Sequence, residues 1–81
     1  MKCHFTRKRI INLQAKAHHY GVEIRFSGIE FGVLTVISQS GRQLTMPSVR
    51  NFDNWSEYWN LAVSTMFYLS ENTREKRYDN H

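Results

Sequence analysis

Apolar residues recur at a helical spacing in the first quarter of the chain. Four of them share one face of a helix between Thr6 and Tyr20, and Gly21 follows directly as a stop signal. The four are Ile10, Leu13, Ala17 and Tyr20. The pattern therefore predicts a first helix from Thr6 to Tyr20 that packs this face against a core.

After Gly21 the spacing changes to the alternation that is typical of a half-buried strand. Apolar and charged residues alternate from Val22 to Phe26, and Ser27-Gly28 predicts a two-residue hairpin turn. A second strand is predicted from Ile29 to Ser38. Its middle is apolar on both faces, which suits the central strand of a sheet.

Turn signals return at Ser40-Gly41, and a third strand is predicted from Arg42 to Met46 with Leu44 and Met46 facing inward. Pro47 cannot donate a hydrogen bond to a neighbouring strand and ends the sheet. Because the turns between the strands are short, the three strands are expected to form an antiparallel meander.

A second helix is predicted from Trp55 to about Ser70. Asn54 is a suitable N-cap residue, and Glu57 three residues later completes a capping-box pattern. The order helix, three strands, helix predicts an α+β fold (αβββα) of two layers, with both helices on one face of the sheet.

The length of 81 residues fits one small domain that covers residues 1–81. Residues 71–81 are polar without apolar periodicity, and residues 1–5 precede the first helix. Both terminal segments are therefore predicted to be flexible tails.

Positive charge is concentrated at the start of the chain. The first 22 residues contain five Lys and Arg residues and no Asp or Glu, whereas the rest of the chain contains six basic and seven acidic residues. None of the cations on the predicted helix has a carboxylate four residues later. The candidate binding residues on this helix are Arg7, Lys8, Arg9, Asn12, Lys16 and His19. All except Arg7 lie on the side away from the apolar face, and we call these five the basic stripe.

A one-sided block of cations points to an anionic partner. We interpret the basic stripe as a surface for the phosphate backbone of nucleic acid, since Arg and Lys donate charge-assisted hydrogen bonds to phosphate. An acidic protein surface is the alternative partner. A solvated face that only keeps the protein soluble is a further interpretation. A helix on a membrane surface is not favoured, because its apolar face is narrow and lacks Trp and Phe.

The second predicted helix carries more apolar residues than one buried face needs. Its predicted core residues are Trp55, Trp59, Ala62, Met66 and Leu69. Tyr58, Leu61 and Tyr68 lie outside this set and are predicted to form an exposed strip, which suits a homodimer interface or a protein partner. A C-terminal tail folded back over the strip is the alternative.

The sequence predicts no metal site, no cofactor and no catalytic site. Cys3 and His4 are adjacent, as are His18 and His19, and neither pair has the short spacing of a zinc site. The strands hold no paired carboxylates, and the two Ser-Gly pairs lack the context of a nucleophile elbow or a phosphate-binding loop. We therefore expect a protein that is not an enzyme.

The lone cysteine, Cys3, favours a reducing, cytoplasmic setting. No apolar run has the length of a membrane span or the form of a signal peptide, which agrees with that expectation. A mitochondrial transit peptide is the alternative interpretation of the acid-poor, Arg-rich start. The absence of serine before position 27 speaks against it.

The order of elements resembles that of double-stranded RNA-binding domains, which also run helix, three strands, helix. Those domains carry a basic cluster at the start of their second helix, where this chain has Asn54, Trp55, Ser56 and Glu57. The resemblance covers the order of elements alone, so it implies neither a binding residue nor an RNA function for this chain.

Charge and pattern together predict a small binding or regulatory protein that associates with nucleic acid through its basic first helix. The alternative is a protein-binding regulator or inhibitor, of the kind that small accessory chains of phages and mobile elements often are. Such a regulator would contact a host protein through the basic stripe or through the aromatic strip.

Overall fold

The computed structural model describes residues 2–28 and 31–70. Its elements in chain order are helix α1 (Arg7–Tyr20), strands β1 (Glu23–Ser27), β2 (Val33–Ile37) and β3 (Gln43–Thr45), a 3-10 turn (Val49–Asn51) and helix α2 (Trp55–Leu69). Buried residues of both helices and of one face of the sheet form a common core. The predicted two-layer α+β fold is confirmed.

The ends of α1 are set by one side-chain cap and one glycine. The Thr6 hydroxyl accepts a hydrogen bond from the backbone N–H of Arg9 (3.2 Å), which satisfies one of the free donors of the first turn. Gly21 has a φ of 71°, a left-handed conformation that glycine adopts without strain, and its N–H bonds to the carbonyl of His18. The predicted bounds of the first helix are confirmed.

The sheet has the strand order β1-β2-β3, and both pairings are antiparallel. Ile24 lies opposite Val36, and Phe26 lies opposite Leu34, on the face that the helices cover. Leu34 and Val36 are fully buried. The prediction that the second strand is central is confirmed.

The first hairpin differs from its prediction. Ser27 pairs with Val33, so residues 28–32 connect the strands where the sequence predicts a two-residue turn. Strand β2 therefore begins at Val33, and the predicted start at Ile29 lies outside the described residues. Phe31, in this connection, has a left-handed φ of 55°.

The longer connection decides which face of β2 the helices cover. A two-residue turn at Ser27-Gly28 would shift the pairing by an odd number of residues and would turn Thr35 toward the helices. The observed register instead turns Leu34 and Val36 toward the helices. Thr35 then lies on the opposite face, where its hydroxyl is 3.1 Å from that of Thr45.

Strand β3 is shorter than the predicted range of Arg42 to Met46. Met46 is buried as predicted, and its N–H bonds to the carbonyl of Leu34 (2.8 Å). Leu44 lies opposite Val36 on the same face, yet 42 % of it is exposed. Leu44 faces inward as predicted, and it is only partly covered because α1 packs on β1 and α2 packs on β2, which leaves β3 at the edge.

The two helices lie side by side in the same direction. Arg9 near the start of α1 contacts Trp55 at the start of α2, and Tyr20 at the end of α1 contacts Phe67 near the end of α2. The buried hydroxyl of Ser70 donates a hydrogen bond to the carbonyl of Tyr20 (3.0 Å), which joins the two C-terminal ends. Both N-termini therefore lie at the same end of the molecule.

Residues 2–5 belong to the core. The prediction of a flexible tail at residues 1–5 is therefore wrong for residues 2–5. The N–H of Cys3 donates to the carbonyl of Phe52 (2.9 Å), Cys3 is buried, and the Phe5 ring packs against Phe26. A tail held by a backbone hydrogen bond and two apolar side chains is part of the domain. The predicted tail at residues 71–81 lies outside the described residues.

Candidate functional site

An open groove of about 630 Å³ runs between the two parallel helices. One wall comes from α1 and the other from the first half of α2. The lining residues are Asn12, Ala15, Lys16 and His19 from α1, and Trp55, Ser56, Trp59 and Asn60 from α2. Its volume lies within the range of about 300–1,000 Å³ that is usual for ligand sites.

The α1 wall of this groove is built from the basic stripe. Asn12, Lys16 and His19 line it, and Lys8 is exposed one turn before Asn12 on the same side of the helix. Arg7 does not line the groove, since its position on α1 is on the opposite flank. The structure thus brings five of the six candidate residues of α1 to one side.

Arg9 is held in a fixed position at one end of the groove. Its guanidinium carbon lies 4.6 Å from the centre of the Trp55 ring, a cation–π distance. Its Nη1 atom donates a hydrogen bond to the carbonyl of His4 (3.0 Å). A guanidinium has five N–H donors, and this bond uses one of them. Over the described part of the chain the remaining donors have no hydrogen-bond partner, so they can bind an anion.

Lys16 lies further along the groove. Its ammonium nitrogen is 6.0 Å from the centre of the Trp59 ring, at the outer limit of a cation–π contact. Four cations of α1, namely Arg7, Lys8, Arg9 and Lys16, form no ion pair with a carboxylate of residues 2–28 or 31–70. Over this part of the chain their charge is not neutralised locally.

The N-terminal ends of both helices add to the positive potential at the Arg9 end. Each helix carries a partial positive charge at its N-terminus, and the two termini lie at the same end here. Lys2 forms an exposed ion pair with Asp53 (3.8 Å) beside this region, which gives little stabilisation because both side chains are in solvent.

The tryptophans are placed differently from their prediction as core residues. Ala62, Met66 and Leu69 are buried as predicted, whereas Trp55 and Trp59 are half-buried and line the groove. They pack on the edge of the core with one side and contribute the aromatic wall of the groove with the other. The unusual width of the apolar arc on the second helix was the only signal in the sequence for this role.

Tyr58 corrects the predicted aromatic strip. It is fully buried at the centre of an aromatic cluster, with ring centroids 5.6 Å from Phe5, 5.2 Å from Phe52 and 5.3 Å from Trp55. The prediction that Tyr58 is exposed is wrong, because the N-terminal segment and the residues before α2 cover that side of the helix. Leu61 and Tyr68 are exposed, at 40 % and 57 %.

The hydroxyl group of Tyr58 is buried and has no hydrogen-bond partner among the residues that the structure describes. Burial disfavours the charged phenolate and raises the pKa of Tyr58 well above its ordinary value. The hydroxyl group takes no part in chemistry at neutral pH, and the role of the Tyr58 side chain is to fill the core.

The described residues contain no group of three or more His, Cys, Asp or Glu side chains arranged to hold a metal ion. Among the helices that the structure describes, none has the length and apolar character needed to cross a membrane. Comparison of the chain with protein-family models, with curated proteins and with solved structures gave no match.

Proposed function

We propose that this protein is a small, non-enzymatic nucleic-acid-binding protein that holds the phosphate backbone along the basic stripe. The observation that carries the proposal is the groove between the helices, where Lys16 on the α1 wall and Arg9 at one end lie against two tryptophans and no described carboxylate pairs with them. In this proposal the protein works in the reducing cytoplasm, where the buried thiol of Cys3 stays free.

The chemistry of the stripe suits phosphate. Arg9 is oriented by Trp55 and by the carbonyl of His4, so its free donors lose little conformational freedom when they bind an anion. Lys16 supplies a mobile charge, and Asn12 and His19 supply hydrogen-bonding groups between the cations. Such contacts position a nucleic acid without reading its sequence, so we expect low base specificity.

The first prediction concerns salt. If Lys8, Arg9 and Lys16 each replace a counterion on the nucleic acid, the plot of log affinity against log salt concentration has a slope of about −2 or steeper. A fluorescence-anisotropy titration of a labelled oligonucleotide at several salt concentrations measures this slope. Absence of binding to any DNA or RNA at low salt contradicts the proposal.

A second candidate function is supported by a different surface. Leu61 and Tyr68 lie seven residues apart on the flank of α2 that faces away from the groove, and both are exposed. An exposed Tyr beside further exposed apolar surface suits a protein interface, since Tyr is a common binding anchor. This surface fits a protein partner or a second copy of the chain, as the regulator or inhibitor alternative requires.

For this candidate we predict that Leu61→Asp releases a bound partner while it changes the free energy of unfolding by about 1 kcal/mol or less, because Leu61 is partly in solvent. A pull-down from lysate with wild type, Leu61→Asp and the charge-matched control Gln14→Asp measures the first effect. Gln14 is exposed on α1. Sedimentation at rising concentration tests self-association, and a partner that Leu61→Asp still retains contradicts the candidate.

A further inference from the structure

We infer that the groove between the helices binds an unpaired strand, with a nucleobase stacked on Trp59 and the neighbouring phosphates held by Arg9 and Lys16. The inference rests on the proposed function, and it adds the class of nucleic acid, which the proposed function does not specify. It follows from the aromatic wall of the groove, which a surface for phosphates alone does not need.

The aromatic wall distinguishes the two forms of nucleic acid. In a duplex the bases are stacked on one another, and the outer surface offers phosphates and groove edges. A ring that lies inside a groove between two helices reaches a base face only when the strand is unpaired. Proteins that bind single strands combine basic residues for the backbone with aromatic side chains for the bases, and this groove has both.

Trp59 is the ring that is available for stacking. Trp55 has the guanidinium of Arg9 over its ring at 4.6 Å, and the ring of Tyr58 stacks on it at 5.3 Å with an interplanar angle of 28°. It therefore already has two stacking partners. Trp59 has the ammonium of Lys16 at 6.0 Å and meets Trp55 only at a tilt of 41°. A base displaces little when it stacks on Trp59.

Arg9 and Lys16 lie on either side of this position. They are seven residues apart on α1, which corresponds to about 10 Å along the helix. This spacing leaves room for a base between two phosphate contacts. Asn12, Ser56 and Asn60 lie on the two walls and offer hydrogen bonds to sugar and base edges.

Both tryptophans of the chain line the groove, so intrinsic fluorescence reports its occupancy without a label. The experiment titrates the whole protein with three probes: an oligothymidylate of about 12 nucleotides, a size usual for small single-strand sites, a duplex with the same number of phosphates, and an abasic strand of the same length. The abasic strand keeps the charge and removes the bases.

We expect the oligothymidylate to bind most tightly and to quench the fluorescence, since base stacking requires contact with the indole. The abasic strand and the duplex are expected to bind about tenfold more weakly or worse, with little quenching. Equal affinity for all three probes, or tighter binding of the duplex, overturns the inference while it leaves the proposed function standing. Failure of all three probes to bind overturns both.

Variants of Trp59 provide the second measurement. Trp59→Leu keeps an apolar side chain against the core but removes the stacking face, and it is expected to lower the affinity for oligothymidylate about tenfold. Trp59→Phe restores an aromatic face and should recover most of the affinity. Thermal melting shows that both variants are folded. Equal affinity of the leucine and phenylalanine variants overturns the role of Trp59.

Discussion

Replacing Tyr58 with alanine is expected to lower the free energy of unfolding by about 3–5 kcal/mol, the range observed when a buried aromatic side chain is truncated. Tyr58 has no exposed surface and contacts the rings of Phe5, Phe52 and Trp55, so its removal leaves a cavity that separate segments of the chain cannot all close. A domain of this size has a total stability of about 4–12 kcal/mol. Urea unfolding followed by circular dichroism measures the loss.

Tyr58→Phe is the matched control, because it keeps the ring and removes only the hydroxyl group, which has no hydrogen-bond partner within residues 2–28 and 31–70. A buried hydroxyl without a hydrogen bond costs about 1–3 kcal/mol, so the phenylalanine variant is expected to be as stable as the wild type or more stable. Destabilisation of Tyr58→Phe by more than about 1 kcal/mol contradicts this expectation, since it shows that the hydroxyl group is hydrogen-bonded in the folded protein.

The raised pKa of Tyr58 gives this pair of proteins a pH dependence. Below about pH 10 the tyrosine is protonated in the folded and the unfolded chain, so it does not make the free energy of unfolding depend on pH. Above about pH 10 the unfolded chain loses the proton that the folded protein keeps, so stability falls by about 1.4 kcal/mol per pH unit. Tyr58→Phe is expected to lack this decrease in the free energy of unfolding at alkaline pH. Identical curves of the free energy of unfolding against pH for the two proteins contradict the prediction.

Neutralising the cations on the groove side of α1 is expected to have the largest effect on binding. A triple variant in which Gln replaces Lys8, Arg9 and Lys16 loses three phosphate contacts. Each contact contributes about 0.7–0.9 to the salt slope, so the slope decreases by about 2–3 and the affinity at about 0.1 M salt falls about 100-fold. The same anisotropy titration that tests the wild type measures both quantities.

A second triple variant controls for total charge. In this variant Gln replaces Arg25, Arg42 and Arg50, so the protein loses the same charge from the sheet and its connections. These three residues do not line the groove. We expect this variant to keep most of its affinity. Equal weakening of the two triple variants shows that net charge alone attracts the nucleic acid, and the basic stripe then has no special role.

The sequence predicted most of the fold because its signals are local. The cap at Thr6, the glycine at 21 and the cap at Asn54 set the helix ends through hydrogen bonds that span two to four residues. The two-sided apolar middle of β2 indicated the central strand. The first hairpin was missed because its length follows from which face of β2 is buried, a property of the whole sheet.

The core was predicted less well than the elements. The alternation of Cys3 and Phe5 with polar residues is the signal that was available for the N-terminal segment, and the structure places both side chains in the core. That segment covers Tyr58, which the helical spacing alone placed on an exposed flank. When apolar residues cover an arc of about 180° on a helix, several different faces of that helix could be buried. Segments from elsewhere in the chain that pack on the helix determine which face is buried.

By itself the sequence determined that five Lys and Arg residues precede the first acid and that the first helix presents three of them, Lys8, Arg9 and Lys16, on one side without an acidic residue on the same helix. It determined this because helical spacing fixes the relative directions of residues on one helix. Only the tertiary structure decided what faces the stripe. The parallel packing of α1 and α2 sets Arg9 against Trp55 and Lys16 beside Trp59, residues that lie more than 40 positions away in the chain. The groove exists because two helices share one sheet face, and no spacing within either helix contains that information.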